Sequence, residues 1–405
     1  MSRSPRELSL ASCVVALTSG CATSPVETGR LPGPPNGQTS CVGPELAALV
    51  EQTSPVDFTI EKLREHRVVA LGELHRLAPQ IQFVADVVAT AANAGLDFDL
   101  AMEILPSYRQ PDLDRLVRSA SFDDALYYNI MGDAYILGPL QFDDYRDVVR
   151  AVWKQNQNRA HPIRLVGLMP DCRLATTGGR EQSLACEDSR DEMMAKVAQD
   201  QTLAAGRALL LFSGNRHAAV HVRRPTGEPF HNVTTFLDER VPGQVFSILL
   251  GGPDAPSKTD ANAWLSPCGG IFDLLFDERK AAPFAVDLRR PPFDRLGIRC
   301  TWLGEYSDGT SPLSDAYQGY VHLMRPEDMP PPRPIPRTAY DAFASDALLG
   351  INRYLVEMLS RPPTFLQRDA ESWDATARRE APGWGHVRSA SPDWCAHGAS
   401  YLRSQ

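Results

Sequence analysis

Two histidines stand just beyond the ends of two similar apolar runs. In "VVALGELHRL" the run stops at a glycine and is followed by Glu73 and His75. The later stretch "RALLLFSGNRH" has the same design and ends at His217. Imidazole and carboxylate groups transfer protons near neutral pH and bind divalent metals. If the two runs are neighbouring strands, the repeated Gly-x-x-His pattern predicts that His75 and His217 meet in one crevice.

A third apolar run, "LAMEILP", contains the acidic residue Glu103. An ionised carboxylate buried without a partner is costly, so Glu103 needs a partner unless it faces water at a sheet edge. We therefore take Glu73, His75, Glu103 and His217 as candidate catalytic residues. His75, Glu103 and His217 could hold a divalent metal or position a water, and Glu73 could act as general base.

Three further polar residues are candidate binding residues, each with a plainer alternative. Asp171 follows the run "IRLVGLMP" and could instead cap a helix or face solvent. Arg190 could hold a carboxylate by a bidentate contact, whereas Asp191 beside it could simply favour a helix N-terminus. His221 shares a face with His217 only if the chain between them is helical.

Several familiar catalytic patterns are missing from the sequence. It contains no G-x-S-x-G, G-x-x-x-x-G-K-[ST] or H-E-x-x-H pattern, so those hydrolase, nucleotide and zinc-protease assignments lack their anchor residues. No two cysteines form a C-x-x-C pair, which argues against a cysteine zinc site.

The elements that must position these residues are short apolar runs that alternate with amphipathic stretches. Each run suits a strand that is buried on both faces. The runs are Val68–Leu71, Leu100–Ile104, Ile163–Leu168, Leu209–Phe212, Val245–Leu250, Phe284–Leu288 and Tyr320–Met324. Helices are predicted for Pro79–Ala94, Phe142–Asn156, Asp191–Ala205 and Asp341–Leu359. This alternation predicts an α/β fold with a mostly parallel central sheet flanked by helices.

The two ends of the chain differ from this body. Residues 1–20 resemble a signal peptide, and "LTSGC" resembles a lipobox that would place a lipid on Cys21; plain secretion is the alternative. Residues 21–43 have the composition of a flexible tether, followed by the α/β domain at 44–328. Residues 329–405 start with the proline-rich "MPPPRPIPR" and predict a connector with a loop-rich and helical extension. The expected location is the cell envelope, at the outer membrane if the cell is Gram-negative.

Composition narrows the possible partners. The chain has 405 residues, 43% of them hydrophobic, and a net charge of −9, which gives no general attraction for nucleic acid. Of the eight cysteines, six remain if Cys13 is removed with the signal and Cys21 is lipidated. In an oxidising envelope these could form disulfides, for which proximity suggests Cys172 with Cys186 and Cys268 with Cys300.

Four motifs at these positions resemble the superfamily that joins ChaN haem-uptake lipoproteins, Tiki and TraB proteins, and erythromycin esterases. They are "LGELH", "AMEIL", "RDEMMA" and "SGNRH", in the family's order between about residues 60 and 250. The resemblance implies an α/β body whose cleft is formed by Glu73, His75, Glu103 and His217, with Arg190 nearby. It also implies two kinds of activity, because Tiki proteins look like metal-dependent peptidases and the esterases open lactones, whereas ChaN-like lipoproteins bind haem.

Three functions therefore stay open at the level of sequence. The first is an envelope hydrolase, with or without a divalent metal, that acts on an ester or amide bond of a small molecule or peptide. The second is a haem- or iron-binding uptake lipoprotein, although no residue can be assigned as its axial ligand. The third is a scaffold without catalytic activity, in which Glu73 and His75 only end a strand.

Overall fold

The computed structural model describes residues 54–75, 77–132, 142–171, 189–252, 255–256, 264–325, 328–330, 332–333 and 336. The chain divides into two units, Met1–Thr39 and Ser40–Gln405, and every described residue belongs to the second. The predicted signal peptide, Cys21, the tether and the predicted helix at 341–359 lie outside the described residues. So do Cys172 and Cys186 and the side chain of Cys300, whereas Cys268 is buried. Both cysteine pairings stay predictions.

A seven-stranded sheet forms the centre of the protein, in the order β3-β2-β4-β1-β5-β9-β8. All neighbours in this sheet are parallel except β8 and β9, which are antiparallel. The strands are β1 (Val68–Glu73), β2 (Phe98–Pro106), β3 (Leu165–Met169), β4 (Ala208–Gly214), β5 (Val245–Leu250), β8 (Phe284–Asp287) and β9 (Gly319–His322). A separate antiparallel pair consists of β6 (Ala255–Pro256) and β7 (Trp264–Leu265).

Helices connect the strands and cover both faces of the sheet. They are α1 (Pro55–Glu65), α2 (Ala78–Asn93), α3 (Gln110–Leu116), α4 (Asp124–Gly132), α5 (Asp144–Asn156), α6 (Arg190–Gln201), α7 (Asn215–Ala218), α8 (Val233–Arg240), α9 (Ile271–Glu278) and α10 (Leu313–Ala316). Short 3-10 turns complete the connections at Ser107–Arg109, Leu203–Ala205, Pro267–Gly270, Phe293–Arg295, Ile298–Cys300 and Trp302–Tyr306.

The strands are apolar throughout because each face of the sheet packs against its own core. In β1, Val69 and Leu71 belong to the core formed with α2 and α5, whereas Val68 and Ala70 belong to the core formed with α6, α8 and α9. All four side chains are fully buried. Fully burying a side chain of this kind contributes about 1.5–3 kcal/mol, so the two cores oblige the sheet to stay covered on both sides.

The sheet order brings the two histidine-bearing strands together. β1 lies between β4 and β5, and it pairs in parallel with β4, with Leu71 opposite Phe212 and Glu73 opposite Gly214. Both strands therefore end at the same edge of the sheet. β4 in turn pairs with β2, so the strand that carries Glu103 is the next one along.

The predicted fold class is confirmed, and each predicted strand overlaps an observed one. The predicted run Val245–Leu250 coincides with β5, and the predicted helix Pro79–Ala94 is α2 shifted by one residue. The predicted helix Asp191–Ala205 ends early, as α6 stops at Gln201 and a 3-10 turn follows. Within the described part of the chain, no helix combines the length and apolar character needed to cross a membrane.

Candidate active site

Glu73 and His75 form a hydrogen-bonded pair at the end of β1. Glu73 is the last residue of the strand and is 1% exposed, and its Oε1 lies 2.8 Å from His75 Nδ1. The hydroxyl of Tyr145 in α5 donates to the same oxygen at 2.8 Å. Oε2 of Glu73 is buried and has no hydrogen-bond partner among the described residues. Glu73 therefore fixes the orientation of the His75 ring through its contact with Nδ1.

Glu103 lies where the pairing of β2 with β4 stops. The last paired residues are Met102 and Phe212, and the register of β2 against β3 also shifts after Met102. Oε2 of Glu103 accepts the backbone N–H of Gly214 at 2.7 Å, so the carboxylate continues the contact between the strands beyond the ladder. The alternative that Glu103 faces water at a sheet edge is wrong, because β2 is an interior strand and Glu103 is buried.

His217 is held between carboxylates at the end of β4. Its Nδ1 lies 2.6 Å from Asp191 Oδ1, and its Nε2 lies 3.3 Å from Glu103 Oε1. A guanidinium nitrogen of Arg190 lies 3.2 Å from the same Nε2. With its proton on Nδ1, neutral His217 donates to Asp191 and accepts from Arg190; doubly protonated, it could donate to Glu103 instead.

The two histidine groups meet at Gly214. A Cβ on Gly214 would stand 2.9 Å from His75 Nε2 and 3.4 Å from Glu103 Oε2. A real side chain does not approach so closely to the imidazole, so a glycine is needed for His75 to pack beside the end of β4. The residues thus run Glu73, His75, Glu103, His217, Asp191, in which acids and histidines alternate across three neighbouring strand ends.

The charges in this group support one another. Burial by itself would raise the pKa of Glu103, but the nearby His217 and His75, the Gly214 N–H and Arg190 together hold that pKa below its ordinary value. Burial would likewise raise the pKa of Asp191, and the hydrogen bond and charge of His217 hold it below its ordinary value. Both carboxyl groups are therefore ionised at neutral pH.

A very short helix carries His217, and side chains from elsewhere hold it in place. Helix α7 has four residues, so the backbone N–H of Ala219 reaches the carbonyl of Asn215, and the later carbonyls need partners from outside the helix. Asn232 donates to the carbonyls of Arg216 and Ala219, and Thr234 donates to that of His217. Tyr317 and Ser247 donate to the carbonyls of Asn215 and Ala218. The position of His217 is thus set by α8, β5 and the segment before β9.

Gly72 serves the same packing. A Cβ on Gly72 would come within 2.9 Å of both Ala218 Cβ and Asn215 Cα. The glycine is needed because β1 and α7 approach one another closely, and its role is not to form a sharp turn.

One predicted binding residue, His221, stands apart from this group in its described contacts. His221 is 59% exposed and pairs with Asp238 of α8 at 3.3 Å, and the residues after α7 are not helical, so it does not share a face with His217. Asp171 follows β3 and is partly exposed, and the chain beyond it lies outside the described residues. Arg190 does join the group, through His217.

The geometry does not fit the predicted metal set of His75, Glu103 and His217. Among the described residues, no group of three or more His, Cys, Asp or Glu side chains could hold a metal ion. The guanidinium of Arg190 beside His217 Nε2 would also repel a cation at that atom. The reaction proposed below therefore uses only the side chains of the site.

Asp191 and Tyr145 belong to the site, although the sequence did not assign them to it. Asp191 was explained by the helix N-terminus alone, and its carboxylate also accepts the N–H of Val233 at 2.8 Å. Tyr145 lies in a plain amphipathic helix far along the chain from Glu73. For Asp191 the adjacent Arg190 was a usable signal, whereas nothing in the sequence around Tyr145 marks it.

Comparison with known proteins returns structural matches alone, since no family model and no curated protein matches the chain. The chain is similar to a succinoglycan biosynthesis protein at 10% identity, covering 71% of this chain and 96% of that one, with a TM-score of 0.49. It is similar to an erythromycin esterase in an open conformation at 12% identity, covering 69% and 96%, with a TM-score of 0.45. A ChaN of Campylobacter jejuni with cofacially bound heme matches at 15% identity, covering 49% and 87%, with a TM-score of 0.31.

Proposed function

We propose that the protein is a hydrolase that cleaves an ester or amide bond of a small molecule or peptide by histidine acid–base catalysis. One observation carries the proposal: two histidines, each hydrogen-bonded through Nδ1 to a buried or partly buried carboxylate, converge on Glu103 and Gly214. A carboxylate on Nδ1 fixes the tautomer and makes the opposite ring nitrogen a better proton acceptor.

In this proposal His75 is the general base, in place of the role first expected for Glu73. Oε1 of Glu73 already accepts from both His75 and Tyr145, so this carboxylate is placed to orient the ring rather than to reach a substrate. His75 takes a proton from the attacking water at Nε2, and the charge of Glu73 stabilises the imidazolium that forms. The side chain of His75 is 32% exposed, so solvent and substrate can reach it.

His217 and Arg190 provide proton donation and positive charge in the proposed reaction. The carbonyl oxygen of the substrate becomes negative when water attacks, and the guanidinium of Arg190 could stabilise that charge. Doubly protonated His217 could then give its Nε2 proton to the leaving oxygen or nitrogen, and the proton that His75 has taken up returns to His217 through solvent. In this proposal Glu103 holds both imidazole rings in position, through its negative charge and through the hydrogen bond that it accepts from the Gly214 N–H.

The haem-binding alternative requires an axial ligand. His217 offers little as one, because its Nδ1 contacts Asp191 and its Nε2 lies close to Arg190 and Glu103. His75 stays the candidate, since its Nε2 lies beside Gly214. A haemin titration of the wild-type protein tests this directly, because ligation by His75 requires a Soret shift that is lost in His75→Ala.

The hydrolase proposal is tested with a panel of chromogenic esters, lactones and peptide amides. We expect measurable turnover by the wild type and a loss of at least about 100-fold in kcat for His75→Ala, His217→Ala and Glu103→Gln. His231→Ala is the matched control, because His231 is 46% exposed and pairs with Glu239. Turnover by His75→Ala and His217→Ala at the rate of the control would refute the proposal.

We also propose that the protein works in the cell envelope, anchored by a lipid on Cys21. The support is the sequence of the first 43 residues: a short apolar stretch after arginines, the "LTSGC" pattern, and a tether rich in Pro, Gly, Ser and Thr. The tether would allow the α/β body to stand off the membrane while the catalytic cleft stays open to diffusing substrates.

A further inference from the structure

The chain beyond β9 returns to the site instead of leaving the body directly. We define the strap as residues 328–330 and 332–333. Met329 of the strap is 5% exposed and packs on Leu77, and the partly buried Leu74 and Met324 complete this small apolar cluster. Leu74 stands between Glu73 and His75, so one end of the strap covers the loop that carries the proposed base.

The other end of the strap is fixed to the start of α5 by Arg333. The carbonyl of Arg333 accepts the N–H of Asp143 at 2.7 Å. The N–H of Arg333 donates to Asp144 Oδ2 at 2.7 Å, and its Nε donates to Oδ1 of the same carboxylate at 3.0 Å. Its guanidinium also contacts Asp147. The side chain of Asp143 gives α5 no N-terminal cap, so Arg333 supplies contacts that the helix start otherwise lacks.

These contacts lead to the proposed base in two further steps. Tyr145 follows Asp144 in the first turn of α5, and its hydroxyl donates to Glu73 Oε1 at 2.8 Å. The same oxygen lies 2.8 Å from His75 Nδ1. Asp144 is 7% exposed, so removing the charge of Arg333 would leave a buried carboxylate without the partner described here and would favour a movement of the helix start.

We propose that Arg333 is a positioning residue, which through Asp144 holds α5 so that Tyr145 fixes the Glu73–His75 pair. Met329 packs in the apolar cluster that includes Leu74, the residue between Glu73 and His75. The strap is then part of the active-site support. The catalytic part of this inference rests on the proposed function. The structural part, that the strap couples α5 to the end of β1, stands on contacts alone.

The experiment compares Arg333→Ala with Arg325→Ala in the full chain. Arg325 is the matched control, because it also lies beyond β9 and pairs with an aspartate, Asp277 of α9. The first measurement is backbone hydrogen exchange by mass spectrometry, which reports local opening without any substrate. We expect exchange in peptides covering residues 70–75 and 143–149 to rise about threefold or more in Arg333→Ala alone.

The second measurement is steady-state hydrolysis. We expect kcat to fall about tenfold in Arg333→Ala with KM nearly unchanged, since the strap affects the orientation of the base. The kcat of Arg333→Lys should lie between those of the wild type and Arg333→Ala, because a single ammonium group cannot bridge two carboxylates as a guanidinium does. Asp147→Asn removes only the outer ion pair and keeps the test usable if Arg333→Ala does not fold.

The outcomes separate the two proposals. Unchanged exchange at residues 70–75 in Arg333→Ala overturns the strap, whether or not hydrolysis is detected. Faster exchange there in a protein that hydrolyses nothing supports the coupling and removes the proposed function. Faster exchange with an undiminished kcat overturns the positioning role of Arg333. An equal rise in exchange in Arg325→Ala also overturns it, since the effect would then follow from losing any ion pair in this segment.

Discussion

At Glu103 a side chain takes over a task of the backbone. The ladder between β2 and β4 ends at Met102, and the carboxylate of the next residue accepts the Gly214 N–H that the strand leaves unpaired. A buried carboxylate is stable there because imidazole rings, a guanidinium group and a backbone N–H surround it. The residues that could carry out catalysis are therefore also residues that join two strands.

Asp191 provides a prediction at this scale. Asp191→Asn replaces the charged acceptor on His217 Nδ1 by a neutral amide oxygen that can still accept from Val233 N–H, so the doubly protonated ring loses the carboxylate that stabilises it. We expect kcat to fall on the order of 100-fold with little change in KM. Asp200→Asn, on the exposed end of the same helix, is the control and should keep the wild-type rate. A wild-type rate in Asp191→Asn would show that the charge of Asp191 on His217 is irrelevant to the reaction.

The same substitution predicts a change in acid stability. The pKa of Asp191 lies below its ordinary value of 3.8 in the folded protein, because the effect of His217 outweighs that of burial. The ionised group therefore stabilises the fold at pH values above 3.8, and this contribution is lost as the pH falls through the lower, folded-state pKa. The midpoint temperature of thermal unfolding, measured from about pH 3 to pH 7, should fall less steeply towards acid pH in Asp191→Asn than in the wild type.

Part of the site could be predicted residue by residue. His75 and His217 stand out because they lie just beyond the ends of apolar runs, and Glu103 stands out because it is an acid inside such a run. Tyr145 could not be predicted, since a tyrosine on the inner face of an amphipathic helix is an ordinary core residue. The hydrogen bond from Tyr145 to Glu73 could not be predicted either, and it is the reason for proposing that Glu73 orients His75 instead of acting as general base.

At the scale of elements, α7 shows how a helix too short to be stable alone is held by its neighbours. Isolated helices of this length do not form in water, so the four residues depend on the side chains that accept or supply their hydrogen bonds. Asn232 is fully buried, donates to the carbonyls of Arg216 and Ala219, and accepts the N–H of Thr235 at the start of α8.

Asn232→Ala should therefore cost both stability and activity. Four hydrogen bonds are lost and two carbonyls lose their side-chain donor, so we expect the free energy of unfolding to fall by about 2–4 kcal/mol. Urea denaturation measures this, with the exposed Asn158→Ala as control. A shared denaturation midpoint for the two variants would contradict the proposed support of α7.

Strands were easier to predict than their arrangement. Continuous apolar runs identify strands buried on both faces, and this holds for all seven strands of the large sheet. The antiparallel pairing of β8 with β9 and the short pair β6–β7 left no comparable pattern, because strand direction depends on how the intervening chain crosses the sheet. α6 ends at Gln201 because Thr202 leaves the helical conformation, at φ −127°, and Gly206 with its positive φ ends the 3-10 turn that follows.

At the scale of the whole molecule, the central question is where the body is located. If the thiol of Cys21 carries a lipid, Cys21→Ala should move the protein from the membrane fraction to the soluble fraction of the cell envelope. Cys13→Ala is the control, because Cys13 would leave with the signal peptide. Mass spectrometry of the mature N-terminus completes the measurement. Lipid anchoring would be contradicted if the wild type, Cys21→Ala and Cys13→Ala divided between the membrane and soluble fractions in the same proportions.

The position of β4 between β1 and β2 has a consequence for biosynthesis. A nascent chain that has emerged only as far as α6 already contains Glu73, His75 and Glu103, but not the strand that must be inserted between theirs. The first two central strands must either stay apart or pair transiently and separate again, and such long-range closure is slow. Under the proposed function, the polypeptide would then become catalytically competent only after β4 has been made and inserted, and it would stay inert until that point of its synthesis.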